Sequence, residues 1–248
     1  LLLKSVYAYE GTESLHGKYI YCRRPTLRYN PVRWYDEKIV KKALAKLLTI
    51  ANNERNNLFE RDLVDLTRQW LQIQAEAIYL KIVGSFKKKN LQQFTLASEL
   101  FLDLLHDLDE LLATHEDFLF GRFLEAAKTL ANVTAKDADE HRQMLQQYEF
   151  NARNQVTLWG PTGQIIDYAT KQWNGIVIDY YLPRWSLFLQ QLRVSLEEKV
   201  PYNQSKFQQD VFTQVELPFN QDTKEYPTIA TGKYHVMLLN LINFLSIF

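Results

Sequence analysis

The chain has 248 residues with 29 basic and 29 acidic side chains, so its formal net charge at neutral pH is zero. This balance excludes the basic footprint typical of a nucleic-acid-binding protein, and we expect no nucleic-acid partner. The single cysteine, Cys22, excludes an internal disulfide and a zinc site built from cysteines.

The hydrophobic pattern predicts an all-α fold. Residues 1–35 lack a regular period and predict an irregular lead-in that packs on the bundle. Helical spacing of apolar residues begins after Asp36, a predicted N-cap. The same spacing predicts further helices over residues 58–86, 91–113, 118–130 and 136–157, another that ends near residue 198, and a last one over 205–214. We therefore predict an antiparallel bundle of six to seven helices over residues 36–230.

The C-terminal residues 231–248 form an aberrant apolar tail. Its most apolar part, Val236 to Phe248, has 13 residues, fewer than the about 20 that span a bilayer, so we expect no membrane partner. Gly232-Lys233-Tyr234 can be encoded by codons that contain a splice-donor-like sequence. We hypothesise that the residues after about 231 are translated intron sequence.

The corner WGPTG, residues 159–163, interrupts the helical pattern. Its proline and two glycines predict a rigid turn, after which we expect a helix to resume. Ile165 and Tyr168 would then share a face of that helix, with Asp167 in its first turns. Together with Trp159 they could form an aromatic wall for a sugar ring, or they could close the end of the bundle.

Acidic residues are dense over 103–117, and a pair of carboxylates is what a glycosidase requires. Most of them fall opposite the leucine stripe, which favours a solvated helix face. Asp103 and His106 resemble half of a bundle-type metal motif, but the sequence has no second copy. We expect no metal and no cofactor. The acidic residues considered are Asp103, Asp107, Asp109, Glu110, Glu116 and Asp117.

Two Asn-x-Ser/Thr sequons begin at Asn132 and Asn203 and predict N-glycosylation there. They favour passage through an oxidising compartment, which the lone cysteine neither supports nor excludes.

Several segments resemble a known family. They are ERDLVDLTRQ, FLFGRFLEAAKTL, the lead-in CRRPTLRYNPVRWYD, and the long block YEFNARNQVTLWGPTGQIIDYATKQWNGIVIDYYLPRWSLFL. These are similar to the C-terminal all-helical domain of the α-N-acetylglucosaminidases, glycoside hydrolase family 89. The resemblance covers most of residues 1 to about 230, and the block of residues 151–185 is long and unusual.

The resemblance implies a lysosomal or secreted retaining hydrolase that removes terminal α-linked N-acetylglucosamine from heparan sulfate. It implies that both catalytic glutamates lie on a (β/α)₈ barrel encoded before Leu1, so this chain would hold no catalytic residue and be inactive alone. By position, the substrate-binding residues would be Trp159, Ile165 and Tyr168. The expected partners are a glycan that ends in N-acetylglucosamine and the enzyme's own barrel domain, with a homo-oligomer as a further candidate.

Two alternatives stay open at this point. The chain could be a stand-alone helical interaction module, or a carbohydrate-binding module without catalysis that uses Trp159 and Tyr168. An upstream reading frame that encodes a barrel would favour the glycosidase over both.

Overall fold

The computed structural model describes residues 19–30, 33, 35–51, 56–160 and 162–232. Residues 1–18 of the predicted lead-in and nearly all of the predicted tail, with the intron hypothesis about it, lie outside the described residues. Pro161 of the corner lies outside them too. Within the described part of the lead-in, the 3₁₀ turn Ile20–Cys22 is buried in the main hydrophobic core.

The described residues form seven helical rods, which confirms the predicted all-α bundle. Short connections join the first rods, as in an antiparallel bundle. The last two rods each contain a π-helical turn. The bounds are α1 (Glu37–Ile50), α2 (Asn57–Lys87), α3 (Leu91–Ala113), α4 (Phe120–Thr134), α5 (Ala138–Val156), a π-turn (Val177–Tyr181) that leads into α6 (Leu182–Glu197), and finally α7 (Gln204–Val211), a second π-turn (Phe212–Glu216) and α8 (Leu217–Gln221).

Short polar side chains set the starts of the helices. Asp36 accepts a hydrogen bond from the backbone N–H of Lys38 at 2.9 Å, and Asn90 accepts one from that of Gln93 at 3.0 Å. Each of these caps satisfies an N–H group that the first helical turn leaves without a partner. The helix over residues 91–113 is found with its predicted bounds.

The main core lies between α2, α3 and α6, and Trp185 of α6 is central to it. Its ring lies 4.5 Å from that of Phe101 and 6.0 Å from that of Tyr79, measured between centroids. Its indole N–H donates to the carbonyl of Tyr21 at 2.9 Å, which ties the lead-in to the bundle. Since Trp185 is fully buried, this bond satisfies a donor that water cannot reach.

Each π-turn directly precedes a leucine–proline pair. In the first, the N–H of Leu182 donates to the carbonyl of Val177, five residues back, and the second has the same pattern. A proline inside an α-helix lacks an N–H donor and clashes with the carbonyl four residues back. The wider turn lets both rods continue through Pro183 and Pro218. The last rod consequently ends at residue 221, beyond the predicted 214.

The prediction that a helix resumes directly after the corner is wrong. A short antiparallel hairpin stands there instead, with β1 (Leu158–Trp159) paired to β2 (Ile165–Ile166). Asp167 then adopts a left-handed backbone with φ of 54°, which no helix contains. Ile165 and Tyr168 therefore do not share a helical face.

Candidate functional site

The hairpin carries the residues that the sequence singled out. Trp159 lies opposite Ile165 in the strand register, and residues 160–164 connect the two strands. Both glycines of the loop have positive φ, 85° at Gly160 and 69° at Gly163, and the N–H of Gly163 donates to the carbonyl of Gly160 at 3.1 Å. Glycine takes this backbone without steric cost, so the loop closes tightly.

Trp159, Ile165 and Tyr168 form an exposed apolar cluster that we call the aromatic corner. The side chain of Tyr168 is 60% exposed and that of Ile165 is 45% exposed, whereas Trp159 is half-buried. The rings of Trp159 and Tyr168 lie 4.6 Å apart between centroids, inclined by 42°. The indole Nε1 of Trp159 is buried and has no hydrogen-bond partner among the described residues. Exposed apolar groups that lie together are typical of a surface that a ligand or another domain covers.

A buried ionic network lies beneath the aromatic corner and begins at Asp167. The two terminal nitrogens of Arg184 donate to the two carboxylate oxygens of Asp167 at 2.9 and 3.1 Å. The backbone N–H of Arg24 donates to the same carboxylate at 2.6 Å. The backbone N–H of Asp167 itself donates to the carbonyl of Thr157 at 3.0 Å. The bend that precedes Tyr168 is thus held from the lead-in, from α6 and from the end of α5.

The network continues to Glu216, the last residue of the second π-turn. Glu216 is fully buried, its carboxylate lies 3.3 Å from Nε of Arg184, and it also pairs with the guanidinium of Arg24. Burial alone would lower the pKa of Arg184, but the charge of Asp167, together with Tyr180 and Glu216, raises it above its ordinary value. Two cations and two anions therefore neutralise one another, and of the four only Arg24 is partly exposed.

Asn220 of α8 fixes the other end of the hairpin. Its amide nitrogen donates to the carbonyl of Leu158 at 3.1 Å, and its amide oxygen accepts from the hydroxyl of Thr157 at 2.7 Å. Asn220 and Thr157 are both buried. The hairpin is consequently attached to the last helical rod at β1 as well as beneath β2.

The family described as alpha-N-acetylglucosaminidase (NAGLU) C-terminal domain matches residues 1–243. The chain belongs to this family. Human alpha-N-acetylglucosaminidase is 39% identical over 235 residues, which cover 94% of this chain and 30% of the human protein. The chain thus spans about a third of the length of that relative.

Two solved structures of a family 89 glycoside hydrolase from Clostridium perfringens share the fold of this C-terminal domain. The complex with 2-acetamido-1,2-dideoxynojirmycin has a TM-score of 0.80 at 25% identity and covers 97% of this chain and 28% of that one. The complex with PUGNAc has a TM-score of 0.76 at 26% identity and covers 90% and 26%. The helical architecture of this domain is therefore a part of a larger glycoside hydrolase in those enzymes.

The structure brings the three predicted site residues together, although by a hairpin rather than by a helix. The sequence did not indicate the residues of the ionic network that holds the hairpin, which are Arg24, Arg184 and Glu216. Arg184 lies 17 residues from Asp167 and Arg24 lies 143 residues away, so no local pattern connects them. The one available signal is an arginine in the middle of an otherwise apolar run, YYLPRWSLFL.

The predicted solvated face of α3 is correct for Asp103 and Glu110 but wrong for Asp109. Asp109 is buried against the segment that precedes the first π-turn, and it accepts hydrogen bonds from that segment. Its burial raises the pKa of its carboxyl to about 6, against the hydrogen bonds from Gly175, Ile178 and Asn174, which lower it. Asp109 thus serves as an internal support on α3.

The structure locates the two predicted glycosylation sites but does not test whether they are glycosylated. Asn132, near the end of α4, and Asn203, the N-cap of α7, are both exposed. Over the described ranges, no three His, Cys, Asp or Glu side chains are arranged to hold a metal ion. No helix in that same part of the chain is both long enough and apolar enough to cross a membrane.

Proposed function

We propose that this chain is part of a retaining α-N-acetylglucosaminidase that removes terminal α-linked N-acetylglucosamine. Its aromatic corner lines one side of the sugar pocket. The observation that carries the proposal is the contact between the half-buried Trp159 and the exposed Tyr168 on a fixed hairpin. The membership of the family supplies the reaction type. The resemblance implies that both catalytic glutamates lie outside this chain, on a barrel domain.

In such an enzyme the chemistry requires two carboxyl groups, one that protonates the glycosidic oxygen and one that attacks the anomeric carbon. This domain would contribute binding and shape. The apolar faces of Trp159 and Tyr168 can pack against the C–H surface of a sugar ring. Because the hairpin is already fixed by buried hydrogen bonds, little conformational freedom is lost on binding.

Heparan sulfate as the substrate and a lysosomal or secreted location are further parts of the proposal. Heparan sulfate is what the family resemblance implies. The location is supported by the match to the human enzyme and by the two exposed sequons.

The test uses the full-length enzyme that carries this domain and an aryl α-N-acetylglucosaminide as substrate. We expect Trp159→Ala and Tyr168→Ala to raise KM by about tenfold or more, because each removes a sugar contact. Trp159→Phe keeps an aromatic face, so we expect it to raise KM less than Trp159→Ala does. Leu96→Ala on α3 is the control, because its side chain is also 60% exposed but lies on another face of the bundle.

Unchanged KM in both alanine variants would refute a pocket at the aromatic corner. The isolated chain supplies a second check, since we expect it to hydrolyse nothing. Turnover by the isolated chain that is lost on changing one of its own residues would place catalysis within this domain. Saturable binding of N-acetylglucosamine to the isolated chain, without turnover of the full-length enzyme, would instead favour a carbohydrate-binding module.

A further inference from the structure

The backbone at Asp167 adopts a conformation that is unfavourable for most residues other than glycine. Its φ of 54° lies in the left-handed region, which residues other than glycine seldom adopt, although aspartate tolerates it better than most. The side chain is buried, and both of its oxygens are engaged by Arg184. A strained residue that its surroundings fix so completely is typical of a functional site.

The position of Tyr168 depends directly on this bend. Tyr168 is the next residue in the chain, it is mostly exposed, and its ring lies in a tilted contact with that of Trp159. A rotation at Asp167 would therefore move the Tyr168 ring relative to Trp159.

Arg184 is suited to hold the bend in one conformation. Its planar guanidinium engages both carboxylate oxygens, which fixes the orientation of Asp167 as well as its distance. Arg184 is fully buried, and Glu216 balances the remaining charge from the second π-turn. Buried ion pairs often contribute little net stability, whereas some of them specify a single conformation.

We propose that Asp167 and Arg184 are positioning residues for substrate binding, which act through Tyr168 and Trp159. The proposal rests on the proposed sugar pocket at the aromatic corner. In this arrangement the buried ion pair sets the bend, the bend sets the Tyr168 ring, and the ring contacts the sugar. Neither positioning residue touches the substrate.

The test compares KM and kcat of the full-length enzyme on an aryl α-N-acetylglucosaminide. Asp167→Asn keeps the shape of the side chain and removes its charge, and Arg184→Lys keeps the charge and removes the planar fork. We expect each to raise KM by about five- to tenfold, because small misplacements of a binding group weaken binding strongly. We expect kcat to change less than about twofold, because the catalytic carboxyls are untouched. Arg193→Lys is the matched control, since Arg193 lies on the same helix in an exposed pair with Glu197.

A double-mutant cycle separates positioning from general stability. If Asp167 acts through Tyr168, Asp167→Asn should leave KM unchanged in a Tyr168→Ala background. Independent, multiplying effects on KM in the double variant would overturn the proposal, and so would unchanged KM in Asp167→Asn and Arg184→Lys when circular dichroism shows both to be folded.

Asp167→Gly keeps the test decisive if Arg184→Lys does not fold. Glycine adopts a φ of 54° without strain but offers no carboxylate, so a folded Asp167→Gly enzyme with wild-type KM would also overturn the proposal. If the aromatic corner does not bind the sugar, a different result is expected. In that case Tyr168→Ala alone leaves KM unchanged, whatever Asp167 and Arg184 do.

Discussion

Asp109 and Gly175 join α3 to the start of the sixth helical rod. The carboxylate of Asp109 accepts a hydrogen bond from the backbone N–H of Gly175 at 2.7 Å, and a second from the side-chain amide of Asn174, also at 2.7 Å. Gly175 has φ of 93°, so the chain reverses where it meets the carboxylate. This contact holds the segment between the hairpin and the first π-turn against the core.

The first prediction concerns pH. Burial raises the pKa of Asp109 to about 6 in the folded protein, above the about 4 of an unfolded chain. The folded state therefore binds this proton more tightly, and the resulting stability is complete below pH 4 and lost as pH rises through 6. We expect the free energy of unfolding of the wild type, relative to Asp109→Asn, to be about 1.4 kcal/mol larger at pH 5 than at pH 7.5.

Denaturant titration at the two pH values measures this difference. Asp103→Asn, on the exposed face of the same helix, is the control, because it retains Asp109 and should keep the pH dependence of the wild type. A difference between wild type and Asp109→Asn that stays flat or reverses over this window would contradict the assignment.

The second prediction contrasts two helical glycines. A Cβ at Gly121 in α4 would overlap the backbone carbonyl oxygens of Tyr226 and Pro227, whereas a Cβ at Gly84 in α2 would meet open space. We expect Gly121→Ala to lower the free energy of unfolding by about 2 to 4 kcal/mol, because backbone must move. Gly84→Ala should raise it by about 0.5 to 1 kcal/mol through helix propensity. Urea denaturation measures both changes, and shifts of the same sign would show that residues 226 and 227 do not lie against Gly121.

The third prediction concerns the loop of the hairpin. Gly163 has φ of 69°, and a Cβ there would lie 2.7 Å from a methyl carbon of the buried Leu158. We expect Gly163→Ala to cost about 1 to 3 kcal/mol of stability through backbone strain and overlap. Thr162→Ala, at the exposed neighbouring position, is the control. Equal thermal midpoints for the two variants would mean that the loop can take another form.

The fourth prediction concerns the two sequons. Oδ1 of Asn203 accepts the N–H of Lys206 at 3.0 Å, and Oδ1 of Asn132 lies 2.7 Å from Nε2 of His141. Neither contact uses the amide nitrogen to which a glycan is linked. We expect Asn132→Gln and Asn203→Gln each to remove one glycosidase-sensitive mass step from secreted protein. Asn151→Gln, outside any sequon, is the control, and unchanged masses in all three would exclude glycosylation of this domain.

The helices could be predicted because their causes are local. Apolar spacing and the predicted N-cap Asp36 are both visible in the sequence, and α1 begins directly after Asp36. The hairpin could not be predicted in the same way. Its strands have two residues each, too few to show an alternating period, and its bend at Asp167 depends on Arg24 and Arg184.

The aromatic corner was predicted in part. The residue types and the rigid turn are readable from the sequence, and the family resemblance singled out Trp159, Ile165 and Tyr168. The burial of Asp109 could not be read, because its partners Asn174 and Gly175 lie 65 and 66 residues further on.

The first π-turn has a geometric consequence for any change in chain length near Pro183. Each residue added to or removed from a helix rotates everything beyond it by about 100°. The extra residue of Val177–Tyr181 therefore sets the phase of α6, and with it the direction in which Arg184 projects. Deleting one residue from that turn would swing Arg184 a quarter-turn or more from Asp167, so insertions and deletions here should be far less tolerated than in the surface connections between rods.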